Sequence, residues 1–458
     1  MQAVLLIDFG STYTKLTAVD LDKEEFLGNA NSFTTVETDI NDGLARALAA
    51  LKTRTGELEF REQLACSSAA GGLRMVVSGL MPELTAEAAR SAALGAGAKV
   101  VRTYSHTLTS PDLAEIREIE PEIFLITGGT DGGNKEVILS NARALATTDL
   151  QCPFVYAGNR VIADEVSEIL KEFDLTVCPN VMPRLGELNI EPVQERIREL
   201  FLESIVYAKG LSQVEELISN IMMPTPQAML KAMELLARGS GRVEGIGDLL
   251  AIDLGGATTD VYSMASGSPR LSSTVIKGLP EPYARRTVEG DIGMRYSVDG
   301  IIAAAGIERV KEISGLDSDS ISHWCETLRA DPAQLPDQEE IEALDFALSC
   351  LAVETAVTRH AGHLEEFYTP MGQVFAQSGK DLRGVRKIIA TGGSLIYSST
   401  LNNILSYALY NPQDPGSLKP EKADYLIDKN YILSAMGVLS ERYPDIALKI
   451  MRKELLHE

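Results

Sequence analysis

The chain has 458 residues, 45% hydrophobic and 23% charged, with 42 basic against 65 acidic side chains and a net charge of −23. That length exceeds what one hydrophobic core usually serves and predicts two lobes plus inserted material. The acidity disfavours nucleic acid and anionic membranes as partners. Five scattered cysteines (Cys66, Cys152, Cys178, Cys325 and Cys350) contain no C-x-x-C pair, which argues for reduced thiols and against a disulfide framework or an iron–sulfur cluster. No apolar run approaches the ~18 residues of a membrane helix, and the opening residues lack a basic or signal-like stretch; a soluble, cytoplasmic protein is expected.

Ala3 to Asp8 reads as a buried strand that turns through Phe9-Gly10-Ser11-Thr12 into a return strand from Lys15 to Asp20, with Phe26 to Ser32 as a third strand. Periodicity behind an Asn/Asp start predicts a helix over 41–51, with Gly56 beyond its end, and a second helix follows Pro82 and runs to Leu94. Ile123 to Thr127 reads as a short apolar strand ending in Gly128-Gly129. A strand over 153–156, a helix over 159–173 and a strand over 175–178 read as a small α/β insertion. Helices over 193–209 and 225–238 follow, the latter with Thr225 as N-cap, Pro226 at the first position and Gly239 past its end.

A Gly-rich linker, 239–247, leads into Ile252-Asp253-Leu254-Gly255-Gly256-Ala257-Thr258-Thr259-Asp260, which echoes Ile7 to Lys15 at the same spacing. A long helix over 338–368 and a terminal helix near 431–441 complete the second half. Between them Ile388 to Gly393 has the same strand-then-Thr-Gly-Gly form as Ile123 to Gly129. Each half thus runs from an Asp-x-Gly hairpin to a Thr-Gly-Gly turn, which points to a duplicated α/β fold. The expected division is a first lobe over 1–149, an inserted α/β and helical region over 150–247, and a second lobe over 248–458.

A strand that ends in Asp-x-Gly and turns straight back presents backbone N–H groups and hydroxyls, which bind phosphate well. One such turn is weak evidence, since an Asp-started β-turn has the same form; two facing each other predict a clamp for a nucleoside triphosphate and Mg²⁺. Asp8 is placed to hold Mg²⁺ through water, because that ion keeps several waters when it bridges phosphates. Gly10, Ser11 and Thr12 would cradle phosphates and Lys15 would neutralise their charge.

In the second turn Asp260 stands where the first has Lys15. Asp253 is the candidate for metal binding and for orienting an attacking water, hence the catalytic residue, while Gly255, Gly256, Thr258 and Thr259 would take phosphate oxygens. Gly392, Gly393 and Ser394 lie between a strand and a helix start, where a base or ribose can approach the backbone. Gly290 and its acidic neighbours Glu289 and Asp291 suit a contact with ribose or Mg²⁺, a plain turn being the alternative. Gly128 to Lys135 nearly imitates a P-loop, but Asn134 stands where lysine must directly follow glycine, so that motif is rejected. The segment reads as a plain turn or as a contact for closure or for a partner. His360 and His363, with Glu366 nearby, have metal-like spacing on the long helix but no further ligand, so no zinc site is expected.

Together these motifs resemble the actin, heat-shock-70 and hexokinase superfamily of ATPases. The resemblance implies two ribonuclease-H-like lobes of the actin-like ATPase type. It makes Asp8 to Lys15 a first phosphate loop, Asp253 to Asp260 a second, Thr391 to Ser394 an adenosine turn, and Gly290 to Gly293 a looser match to a Gly-rich contact. Over its full length the chain also resembles the MutL (GlmL) family linked to glutamate mutase, on Leu6-Ile7-Asp8-Phe9-Gly10-Ser11-Thr12, Thr127 to Gly133 and Val288 to Asp291. That resemblance implies an ATP-binding accessory protein, a chaperone or reactivating factor, for an adenosylcobalamin-dependent mutase or aminomutase. It would be a slow ATPase using ATP/ADP and Mg²⁺; a homodimer is left open. No Asp-x-His-x-x-Gly pattern occurs, so the chain itself should not carry cobalamin. The alternative is a small-molecule kinase acting on a sugar or carboxylic acid. An actin-like polymer is disfavoured by the insertion and the acidic surface.

Overall fold

Both Asp-x-Gly segments form tight hairpins, and each hairpin seeds a sheet of the same strand order. The computed structural model describes residues 2–10, 13–34, 40–68, 73–207, 221–271, 273–332, 334, 338–370 and 372–456. The chain divides into two units, one formed by Met1–Ala232 with Ser434–Ile450 and the other by Met233–Leu433 with Met451–Glu458.

In the first unit β1 (Ala3–Phe9), β2 (Tyr13–Asp20) and β3 (Glu25–Phe33) make an antiparallel meander, because apolar residues fill β1 and the Gly10 turn folds β2 straight back on it. Helix Ile40–Thr55 leads to β4 (Phe60–Ser67), which pairs parallel to β1. A separate sheet follows: β5 (Arg74–Gly79), β6 (Lys99–Ser105), β7 (Ile123–Ile126), β8 (Phe154–Tyr156) and β9 (Leu175–Val177). Helix Glu191–Tyr207 and β10 (Ile221–Pro224) then return the chain to the free edge of β4. The first sheet thus has the order β10-β4-β1-β2-β3.

The second unit repeats the plan. Strands β11 (Leu249–Leu254) and β12 (Thr259–Met264) form the hairpin, β13 (Thr274–Lys277) lies elsewhere, and β14 (Ala284–Glu289) completes the meander. After a helical stretch that ends in Glu339–His360 come β15 (His363–Thr369), β16 (Gly372–Ser378), β17 (Lys387–Thr391) and β18 (Asp424–Ile427). The main sheet has the order β14-β12-β11-β17-β18, while β13, β16 and β15 make a small sheet of their own. Three antiparallel strands followed by two parallel ones, twice over, is the ribonuclease-H-like arrangement. Helix Glu339–His360 is buried on nearly every side, with Leu344, Leu348, Leu351 and Val357 in the core against Leu250 and Ile252 of β11.

Three expectations are corrected. Strand Ile123–Ile126 is not the counterpart of β17; it is the central strand of the inserted parallel sheet, and β4 occupies the position equivalent to β17. A Thr-Gly-Gly exit suits any parallel strand that must turn sharply into a helix, so the motif says nothing about which sheet holds it. The boundary expected at 149/150 falls inside that inserted sheet, between β7 and β8, and Ser434–Ile450 belongs with the first unit. The long helix stops at His360 rather than continuing to 368. Gly362 is jammed against the end of β16, where a Cβ would lie 2.5 Å from the Ser378 carbonyl oxygen, and the following aromatic run forms β15. Among the described residues no helix is long and apolar enough to cross a membrane.

Candidate functional site

In the first unit the carboxylate of Asp8 lies near the carboxyl end of β1, only 4% exposed. Its Oδ1 accepts a hydrogen bond from Thr225 Oγ1 at 2.6 Å and its Oδ2 one from Ser434 Oγ at 3.0 Å. Lys15 sits directly across the ladder on β2, and Cys66 directly across on β4. Burial, then the Asp8 carboxylate, pushes the Cys66 thiol well above its ordinary value, so it stays protonated. The turn itself is closed by Gly10 N–H donating to the Tyr13 carbonyl at 3.0 Å. A Cβ at Gly10 would sit 2.6 Å from that oxygen, which is why glycine stands there. Ser11 and Thr12 lie outside the described residues.

The turn of the second unit is built the same way: Gly255 N–H donates to the Thr258 carbonyl, again at 3.0 Å. Asp253 is half-buried and faces Asp260 across the hairpin. Asp260 is a structural acid, because Oδ1 accepts from Arg286 Nε at 2.7 Å and lies 2.6 Å from Nη2, both side chains being buried. Thr259, expected to take phosphate oxygens, has a structural partner as well. Its buried hydroxyl donates to the Ile292 carbonyl at 2.9 Å and fastens a neighbouring loop instead of facing a phosphate.

That loop, Glu289 to Tyr296, is stitched to the turn through Met294 N–H to Gly255 O (3.1 Å) and through Arg295 and Tyr296 N–H to Gly256 O (2.8 and 2.9 Å). Gly293 permits this approach, since a Cβ there would lie 2.3 Å from the Ala257 carbonyl carbon. Gly290 is exposed beside the stitched segment. Glu289 is paired with Arg359 at 2.5 Å, and Asp291 lies 3.9 Å from the same guanidinium, so neither acid is held ready for Mg²⁺. Among the described residues nothing accepts from the consecutive backbone N–H groups of Gly256, Ala257 and Thr258. Such a run of unsatisfied donors is what a phosphate group satisfies.

Gly392 lies against this turn at φ +91°, where a Cβ would sit 2.4 Å from Leu254 O and 2.8 Å from Asp253 Oδ1. Gly393 and Ser394 open only a single turn of helix, Gly393–Ile396, so close approach and not a helix dipole is what this segment offers a ligand. Thr391 Oγ1 donates to Asp428 at 3.4 Å, and Asp428 accepts from the N–H groups of Ile432 and Leu433 at 2.9 and 3.3 Å. His360 and His363 do not share a helix. His360 is fully buried with Nδ1 2.7 Å from Thr287 Oγ1, while His363 belongs to β15.

Carboxylates are the hard oxygen donors Mg²⁺ prefers, and that ion needs only one or two of them when phosphates and water complete its shell. Asp8 and Asp253 fit this requirement. Among the described residues no cluster of three or more His, Cys, Asp or Glu side chains is poised for a metal.

Sequence reasoning missed Thr225 and Ser434 as partners of Asp8. Thr225 was read as a cap alone, yet its hydroxyl goes to Asp8. Ser434 is a small polar residue set among Ile432, Leu433, Ala435 and Met436, all buried; that polar gap in an apolar stretch was the available signal.

Two ribonuclease-H-like units, each with an Asp-x-Gly hairpin at the carboxyl end of its first strand, define the actin-like ATPase class of fold. The family model described as MutL protein matches residues 4–455. Protein MutL of Clostridium tetanomorphum is 47% identical over 460 residues, covering all of both chains. The chain belongs to the MutL family. Among solved structures, ethanolamine utilization protein EutJ from Carboxydothermus hydrogenoformans is 10% identical, with a TM-score of 0.31 over 98% of this chain and 90% of that one. Xylulose kinase from Bifidobacterium adolescentis is 11% identical, with a TM-score of 0.33 over 98% and 93%. These scores are low, and the fold assignment stands on strand order.

Proposed function

We propose that this chain is an ATP-binding accessory protein, a chaperone or reactivating factor, for an adenosylcobalamin-dependent mutase such as glutamate mutase or an aminomutase. Family membership supports the class, and the observation that carries the nucleotide reading is the duplicated turn. Each Asp-x-Gly hairpin is closed by the same 3.0 Å hydrogen bond, and in the second the N–H groups of Gly256, Ala257 and Thr258 are left for a phosphate.

In this reading each turn takes phosphate oxygens. Gly10 with Ser11, Thr12 and Lys15 serves one, and Gly255, Gly256 and Thr258 serve the other. Asp8 and Asp253 would hold Mg²⁺, which neutralises phosphate charge when bound. Asp253 orients the water that attacks the γ-phosphate, and Gly392, Gly393 and Ser394 accept the nucleoside. Hydrolysis is slow, and the bound state of the nucleotide sets affinity for the mutase. The protein works in the cytoplasm.

Asp253→Ala is expected to abolish ATP hydrolysis while leaving the fold intact by circular dichroism; unchanged hydrolysis would remove Asp253 from the mechanism. Pull-down of the mutase with and without ATP tests the partner. Rapid ADP release that depends on a sugar or carboxylic acid, with no protein partner present, would instead establish a kinase.

A further inference from the structure

The inserted sheet of the first unit carries a feature that the nucleotide reading does not use. Its five strands are all parallel, in the order β6-β5-β7-β8-β9. From β5 the chain runs to β6 on one side and then to β7 on the other, so the carboxyl ends of β5 and β7 flank a topological switch point. Open α/β sheets bind their ligands in the crevice at such points. The glycine-rich segment Thr127 to Asn134 leaves β7 at this place.

The segment is held in one shape by two buried asparagines. Asn159, with no exposed surface, accepts from Gly132 N–H at 2.9 Å and donates to the carbonyls of Gly133 and Asn134 at 3.3 and 3.2 Å. Asn180 donates to the Gly129 carbonyl and to Asp131 Oδ1, both at 3.0 Å. The Gly128 carbonyl accepts from Asn159 N–H at 3.0 Å. Gly128 and Gly129 take φ values of +137° and +63°, and a Cβ at Gly129 would lie 2.7 Å from the Asn134 carbonyl oxygen.

The carbonyls of Gly128 and Gly129 are therefore satisfied, while three consecutive donors are not. Among the described residues nothing accepts from the N–H groups of Gly128, Gly129 or Thr130, although both glycines are buried. Orphaned buried N–H groups are rare in proteins. Across the ladder on β5, the hydroxyl of Ser78, opposite Ile126, is likewise buried without a partner. The segment then enters helix Glu136–Leu145, where Lys135 provides no side-chain cap and Val137 N–H donates to Asn134 Oδ1 at 3.2 Å. The nearby charges are Asp131, which accepts from Arg160 N–H and Asn180 and lies 3.5 Å from Arg160 Nε, and the exposed side chains of Lys135, Glu136 and Arg160.

We propose that the turn Gly128 to Thr130 binds the anionic group, phosphate or carboxylate, of a small ligand seated at the switch point of the inserted sheet. Consecutive N–H donors in a turn of this kind provide a cradle for such a group. This site lies in a different sheet from the Asp-x-Gly turns and stands whether or not they bind ATP.

The test is a titration of full-length, ¹⁵N-glycine-labelled protein with inorganic phosphate in one arm and acetate in the other, read at the amide resonances of Gly128 and Gly129. Saturable shifts in the phosphate arm assign a phosphate ligand, and saturable shifts in the acetate arm a carboxylate ligand. Lys135→Glu, a change at an exposed side chain, should weaken the response several-fold, and Asp253→Ala should leave it as it is. No shift at either amide with either anion overturns the proposal. So does a non-saturating drift shared with the exposed glycines Gly56 and Gly241, or a response that Lys135→Glu does not change.

Discussion

At the scale of single residues, the acid of the first turn is defined by what holds it. Both oxygens of Asp8 are occupied by hydroxyls, one 217 and the other 426 residues away in sequence. Removing either donor leaves a buried carboxylate oxygen unsatisfied, which costs about 1–3 kcal/mol. Thr225→Val and Ser434→Ala should each lower the melting temperature accordingly and weaken ATP binding in calorimetry, whereas Thr225→Ser should keep both. The second turn balances its charge differently. Arg286 is buried against Asp260, so Arg286→Met strands a buried negative charge and should cost about 3–5 kcal/mol. Adding Asp260→Leu should recover most of that loss in a double-mutant cycle; a simple sum of two losses would show that the pair is not coupled.

At the scale of elements, close approach decides which residues are tolerated. Helix Thr225–Arg238 begins at the Thr225 clamp, and Gly437 of helix Leu433–Ser440 packs on its first turn, where a Cβ would fall 1.8 Å from the Ala228 carbonyl oxygen. Gly437→Ala must push the two helices apart, at about 1–3 kcal/mol for overpacking. Because the same helix carries Ser434, the variant should also loosen Asp8 and weaken nucleotide binding, a joint effect visible by thermal denaturation and calorimetry together. Thr391, Asp428 and the N–H groups of Ile432 and Leu433 form a comparable tie at the end of β17.

At the scale of the whole molecule, two buried bases make the second unit less stable as pH falls. Burial, then Arg285 and Lys380, hold His360 well below its ordinary value of 6.5. Burial, with Arg285 beside it, lowers Lys380 from 10.5 to about 7. In each case the unfolded chain binds the proton first as pH falls, so stability declines with falling pH. For Lys380 the loss develops between 10.5 and about 7, and for His360 it begins below 6.5. Trp324, the sole tryptophan, lies in the second unit and reports on it by fluorescence. Urea midpoints followed with this probe should rise with pH up to about 9, above which the thiols of Cys325 and Cys350, pushed up by burial, act in the opposite sense. His360→Gln should flatten the acidic window and Lys380→Met the alkaline one. Mg-ATP at 100 times its dissociation constant should add about 2.7 kcal/mol if it binds only the folded chain.

Sequence alone determined the two hairpins, the glycines in their turns and the exchange of Lys15 for Asp260. Turn geometry depends on steric limits within a few neighbouring residues, and those limits are written where the residues stand. A duplication was also legible from the two hairpins, although Thr127-Gly128-Gly129 imitated a second copy of Thr391-Gly392-Gly393. Only the tertiary structure decided that β4 is the true counterpart of β17, that Thr259 and Asp260 serve packing, and that Thr225 and Ser434 grip Asp8. Those outcomes depend on which distant segments pair and on where an inserted sheet interrupts the first unit. No local preference encodes that: a hydroxyl hundreds of residues away becomes a partner only once the sheets and helices have closed around it.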